Sequence, residues 1–88
     1  MPLRFVVIDD APAIVKLYED LLTDEGYEVV ATFADPPADP HLIEQHQPDI
    51  VILDRLFGRE RTGIHTLEML TSYAPTAETP IIVCTAAR

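Results

Sequence analysis

Ile50-Val51-Ile52-Leu53-Asp54 is the stretch that decides the fold. Four apolar residues, mostly β-branched, run without a polar break and stop at a carboxylate. A run of this kind reads as a strand covered on both faces, as in a parallel sheet. It places Asp54 at the C-terminal end of that strand. In open α/β sheets this is the rim where ligands bind.

Two further runs have the same form. Phe5-Val6-Val7-Ile8 stops at Asp9-Asp10, and Ile81-Ile82-Val83-Cys84 stops at Thr85. A buried strand is expected over about Leu3 to Asp9. Between the runs lie helical signals. Ala11-Pro12 suits a first helical turn. Ile14, Leu17, Tyr18, Leu21 and Leu22 then recur at helical spacing and predict one apolar stripe, with Gly26 as the stop. Glu28 to Phe33 alternates, which predicts a half-buried edge strand with Val29, Ala31 and Phe33 on one side. Asp35-Pro36-Pro37-Ala38-Asp39-Pro40 cannot hold regular structure. Asp39 and Pro40 suit the start of a short helix reaching about Gln47. Thr62 or Gly63 opens another helix, with Ile64, Leu67, Leu70 and Ala74 on one face and Pro75 ending it. The order is β-α-β-α-β-α-β, and right-handed crossovers give an α/β fold with a doubly wound parallel sheet.

Composition narrows the function. The chain has 88 residues, enough for one small domain, and nearly half of them are apolar. Fifteen acids against six bases give a formal charge of -9, which argues against direct nucleic-acid binding. The single cysteine, Cys84, allows no disulfide within the chain and reads as a buried small apolar group in a reducing compartment. Met1-Pro2-Leu3-Arg4 lacks a signal-peptide layout, and no apolar run approaches membrane-spanning length. A cytoplasmic protein without membrane contact is therefore expected. His41, His46 and His65 share no ligand spacing and read as surface residues.

With strand order 2-1-3-4, the ends of the first, third and fourth strands are neighbours. Asp9, Asp10, Asp54 and Thr85 then converge on one patch. Carboxylates this close repel one another, and a hard divalent cation such as Mg²⁺ removes the repulsion. A metal beside a carboxylate can also align a phosphoryl donor, making the carboxylate the nucleophile. Each residue has a plainer reading too. Asp10 suits a helix cap, an Asp ending a strand suits a turn, and a Thr there suits β-propensity. Only their conjunction points to chemistry.

That conjunction resembles the receiver domain of two-component response regulators. It rests on Val7-Ile8-Asp9-Asp10, Val51-Ile52-Leu53-Asp54, Gly63 opening a helix, and Thr85-Ala86. The resemblance covers residues 1–88 and implies a flavodoxin-like fold in which Asp54 accepts a phosphoryl group from a sensor histidine kinase. It implies that Asp9 and Asp10 serve Mg²⁺, with Asp10 ahead of Asp9 as direct ligand. Asp54 and the backbone carbonyl of Leu56 join them, and Thr85 swings toward the phosphoryl group. Such a domain is not an enzyme in the turnover sense. Two departures stand out. Phe57-Gly58-Arg59-Glu60-Arg61 replaces the family's Pro-Gly signature. The family's fifth strand, its terminal Lys and its last helices have no counterpart before Arg88. Lys16, on the polar side of the first helix, does not fill the Lys role, so weak or no productive phosphorylation is expected.

An incomplete sheet would leave the fourth strand bare at its outer edge, and self-association through it is expected. Arg55, Arg59 and Arg61 put half of the basic residues in the loop beside Asp54. They suit a solvated loop, or else contacts to phosphate or an acidic partner. Two alternatives remain distinct in kind. One is a phosphorylation-independent interaction or dimerisation domain. The other is an Asp-nucleophile phosphohydrolase, which Asp54-Arg55-Leu56 disfavours because no second acid stands two residues on.

Overall fold

The runs Phe5–Ile8 and Ile50–Leu53 become strands because residues covered on both faces lose nothing by being apolar throughout. The third run, Ile81–Cys84, forms a strand in which Ile82 and Val83 are exposed rather than covered. The computed structural model describes residues 2–35, 37–54 and 63–84. It places β1 at Arg4–Ile8, β2 at Glu28–Phe33, β3 at Ile50–Asp54 and β4 at Ile81–Cys84. The helices are α1 at Pro12–Asp24, α2 at His41–Glu44 and α3 at Gly63–Ser72. The sheet is parallel, in the order β2-β1-β3-β4, as expected.

Alternation in β1 and β3 divides the core into two layers. Val6, Ile8, Val51 and Leu53 face one side, where Ile43 of α2 and Leu70 of α3 cover them. Phe5, Val7 and Ile52 face the other, against Val15, Tyr18 and Leu22 of α1. Full burial of each such side chain contributes about 1.5–3 kcal/mol. These layers hold the ends of β1 and β3 side by side.

Arg4 fixes the other end of the sheet. Its N–H donates to Asp49 Oδ2 at 2.8 Å, and Asp49 N–H donates back to the Arg4 carbonyl at 2.7 Å. The Arg4 guanidinium also donates to the carbonyl of His46 at 2.9 Å and of Gln47 at 3.3 Å. The entry to β3 is thereby tied to the start of β1. The expected stop at Gly26 is a Schellman motif. Gly26 has φ 86°, its N–H donates to the Thr23 carbonyl, and the Tyr27 N–H donates to the Leu22 carbonyl.

Several expectations need correction. The packed stripe of α1 is Val15, Tyr18 and Leu22, whereas Leu17 and Leu21 are 51% and 53% exposed. The helix is rotated relative to the expected stripe because only one line of side chains reaches the sheet. In β2 the register jumps between the pairs Phe5↔Val29 and Val6↔Ala31. The extra residue sends Val29 to the α1 side and leaves Ala31 and Phe33 on the opposite one, so the three do not share a face. The second helix has only four residues and ends before Gln47. Asp39 Oδ1 does accept the His41 N–H at 3.0 Å, ahead of that helix. The third helix ends at Ser72, and Ala74 and Pro75 lie in a 3-10 turn at Ala74–Thr76. Its buried residues are Thr66 and Leu70, while Ile64 is exposed. His46 is half-buried with its ring edge-on to Phe33, so it is not a surface residue. His41 and His65 are exposed, as expected.

Candidate acidic site

The strand ends do converge. One ligand atom from each of Asp9, Asp10 and Asp54 lies within 4.8 Å of the others. Asp54 closes β3 and is 3% exposed. Asp9 follows β1, is also 3% exposed, and has its N–H bonded to the Phe33 carbonyl at 3.0 Å. Asp10, one residue further, is more open. Burial in two layers of aliphatic side chains sets the depth of Asp9 and Asp54. Parallel register then brings them together, since β1 and β3 pair up to Ile8↔Leu53.

The plain reading of Asp10 as a helix cap does not hold. The residue at the start of α1 is Ala11, without a side-chain cap, and Pro12 takes the first helical position. It is Asp9 that reaches forward, its Oδ1 accepting the Ala11 N–H at 2.9 Å.

Would a hard cation fit? Donors around one Mg²⁺ stand about 2.1 Å from the ion, so no two lie more than about 4.2 Å apart. The three ligand atoms, within 4.8 Å of one another, lie near this limit and must draw closer to share one ion. All the donors are oxygens, which suits Mg²⁺ over softer metals. A cleft of about 370 Å³ opens beside Asp9 and Asp10, walled by Pro12, Val15, Thr32 and Phe33. It leaves room for water or a phosphoryl group. Lys16 also lines it, but its amine bonds Asp20 at 2.7 Å, and that contact raises its pKa. The structure thus keeps Lys16 occupied on its own helix. A second cleft, between Gln47 and Thr79, lies at the opposite end of the strands, away from the acids.

The expected roles of Thr85 and the Leu56 carbonyl, and the loop carrying Arg55, Arg59 and Arg61, lie outside the described residues. Cys84 is not the buried apolar group expected of it. It is half-buried and lies 2.8 Å from the Tyr18 hydroxyl. That contact and burial push the Tyr18 pKa up to about 12, with Cys84, Asp9 and Asp54 adding to the rise. Sequence reading missed Tyr18 as a residue of this site, having counted it only in an apolar stripe. The available signal was a hydroxyl in that stripe, because a buried Tyr seeks a partner for its O–H.

Comparison with known proteins points to one family and fold. The family model described as the response regulator receiver domain matches residues 5–88. A protein-glutamate methylesterase/protein-glutamine glutaminase of Anaeromyxobacter dehalogenans is 37% identical over 92% of the chain, but only 22% of its own length is covered. The transcriptional regulatory protein PdtaR of Mycobacterium tuberculosis is 34% identical over 98% of the chain and 40% of its own length. The chain therefore spans about a fifth to two fifths of these relatives. Chemotaxis protein CheY4 of Vibrio cholerae superposes with TM-score 0.85 at 24% identity, covering 100% of the chain and 72% of that structure. The N-terminal domain of a response regulator receiver protein from Methanoculleus marisnigri gives 0.74 at 26% identity, covering 96% and 67%. Among the described residues, no helix is long and apolar enough to cross a membrane.

Proposed function

The chain belongs to the response regulator receiver domain family, and from that membership we propose that it is a phosphoacceptor module in which Asp54 receives a phosphoryl group from a sensor histidine kinase. The observation that carries the proposal is the meeting of Asp9, Asp10 and Asp54 within 4.8 Å at the ends of two adjacent strands. Asp9, Asp10 and Asp54 would hold Mg²⁺, with the Leu56 carbonyl as a further donor. When bound, the ion supplies charge neutralisation for the carboxylates and for a phosphoryl group between them.

The protein's own part is positional. An Asp54 carboxylate oxygen forms the new O–P bond as the P–N bond of the donor phosphohistidine breaks. The imidazole nitrogen keeps the bonding electrons and takes a proton from solvent. Burial of Asp54 keeps the nucleophile poorly hydrated and fixed at the rim. Thr85 would donate its hydroxyl to a phosphoryl oxygen. The product carries about two negative charges where there was one, which biases the nearby loops and gives a partner something to read. Residues 1–88 would act as one receiver unit that is cytoplasmic, regulatory rather than catalytic in turnover, and without direct contact to nucleic acid.

Mixing the protein with Mg²⁺ and either acetyl phosphate or beryllofluoride tests this. Amide shifts centred on Asp9, Asp10 and Asp54 with either reagent, and a phosphoryl mass adduct with acetyl phosphate, are the expected result. An Asp54→Asn variant responding identically would count against it.

A second reading is association without phosphorylation. Among the described residues β4 pairs only with β3, and its Ile82 and Val83 are 50% and 38% exposed. Such an edge would pair with a second copy, independently of Asp54.

A further inference from the structure

Helix α1 touches the acidic site twice. At its start, the Ala11 N–H is held by Asp9 Oδ1 at 2.9 Å. Two turns later, the Tyr18 hydroxyl reaches Cys84 Sγ at 2.8 Å, a contact between residues 66 apart in sequence. Cys84 is the last residue of β4 and the register partner of Asp54. On the way, Tyr18 packs in the layer formed by Phe5, Val7 and Ile52. The helix therefore bridges the two halves of the site. Its start meets the Asp9-Asp10 corner after β1, and its middle, at Tyr18, meets the strand that flanks Asp54.

Among the described residues, no backbone ladder beyond Ile8↔Leu53 and Asp54↔Cys84 ties these two corners together. The spacing of Asp9 and Asp10 from Asp54 depends on how α1 is seated across the rim. A side-chain bond to the residue beside Asp54 pins that seating. The hydroxyl also stands in the field of the Asp9 and Asp54 carboxylates, which opposes its ionisation.

We propose that Tyr18 and Cys84 form a positioning pair for the acidic site, holding α1 so that the three carboxylates stay at the separation a divalent cation needs. The inference rests on the reading of the site as a Mg²⁺ site. Neither residue touches the ion; both act through Asp9 and Asp54.

The test is Mg²⁺ affinity of the full chain, measured by amide-shift titration and by competition with Mn²⁺. Tyr18→Phe keeps the ring and removes the hydroxyl, and Cys84→Ala removes its partner. Each should weaken Mg²⁺ binding about tenfold, the lower end of what supporting residues around metal sites give. The double variant should be no weaker than either single one, because the bond is already lost. Cys84→Ser restores an O–H partner and should recover most of the affinity. Thermal melts without divalent cations separate this from simple packing, which would lower every melting temperature and leave the affinity unchanged. Unchanged Mg²⁺ affinity in both single variants, beside a normal wild-type response, overturns the pairing alone. A wild-type chain with no Mg²⁺ response overturns the site reading and the pairing with it.

Discussion

Replacing Asp54 with Asn should stabilise this protein in a chelating buffer and remove the stabilisation that Mg²⁺ confers. The three acidic ligand atoms lie within 4.8 Å of one another, and Asp9 and Asp54 are each 3% exposed. Two unit charges at that separation repel by about 3.5 kcal/mol at an effective dielectric near 20, and by about 0.9 kcal/mol in bulk water. Asp10 is open to solvent, so its share lies toward the lower figure. The amide keeps the shape of Asp54 but rearranges its hydrogen bonding, an opposing cost of about 1 kcal/mol. A net gain of about 2 kcal/mol follows, which for a chain of this size raises Tm by about 8–16 °C. Mg²⁺ at a hundred times its Kd adds about 2.7 kcal/mol to the wild type and little to the variant, so the order of stabilities reverses. Circular-dichroism melts at neutral pH, in EDTA and in excess Mg²⁺, read both effects. An Asn variant less stable than wild type in EDTA, or one gaining as much from Mg²⁺, would refute the reasoning.

Three further outcomes follow from other parts of the structure. Gly26→Ala should cost about 1 kcal/mol in urea denaturation with an unchanged m-value. The backbone there has φ +86°, and a Cβ would meet nothing within 4 Å, so only conformational strain acts. His41 is raised above its ordinary 6.5 chiefly by its hydrogen bond to Glu44, and Glu44 is lowered below 4.5 chiefly by that same bond. The histidine's contribution is complete below pH 6.5 and fades as pH rises through its folded value, and the glutamate's is complete above pH 4.5 and fades as pH falls through its own. His41→Gln should therefore differ most from wild type between those limits, in stability curves taken across pH. Ile82→Lys places a charge on the exposed outer strand and should shift the chain toward monomer in light scattering, with Mg²⁺ binding retained.

Periodicity and strand-end residues already contained most of the sheet. Unbroken β-branched runs read as strands, two of the three of them covered, and a carboxylate after each of those two marks one rim. Given the order 2-1-3-4, the meeting of Asp9, Asp10 and Asp54 at one rim could be read as well, because parallel pairing brings the ends of adjacent strands to the same side, though not the final separation of the carboxylates. Which line of α1 faces inward was a different matter. Ile14, Leu17 and Leu21 are as apolar as Val15 and Leu22, so composition could not rank them, and the rotation was set by contact with Phe5, Val7 and Ile52. The register jump after Val29 likewise has no local marker, since it arises from fitting β2 against β1. Cys84 looked like filler because a thiol at a strand end carries no signal of its own. Its partner arrives from 66 residues away, and only the packing of α1 across the sheet brings the two together. Local sequence set the elements and their polarity. The bond between Tyr18 and Cys84, like every long-range side-chain contact, was decided by the shape that those elements make when they close on one another.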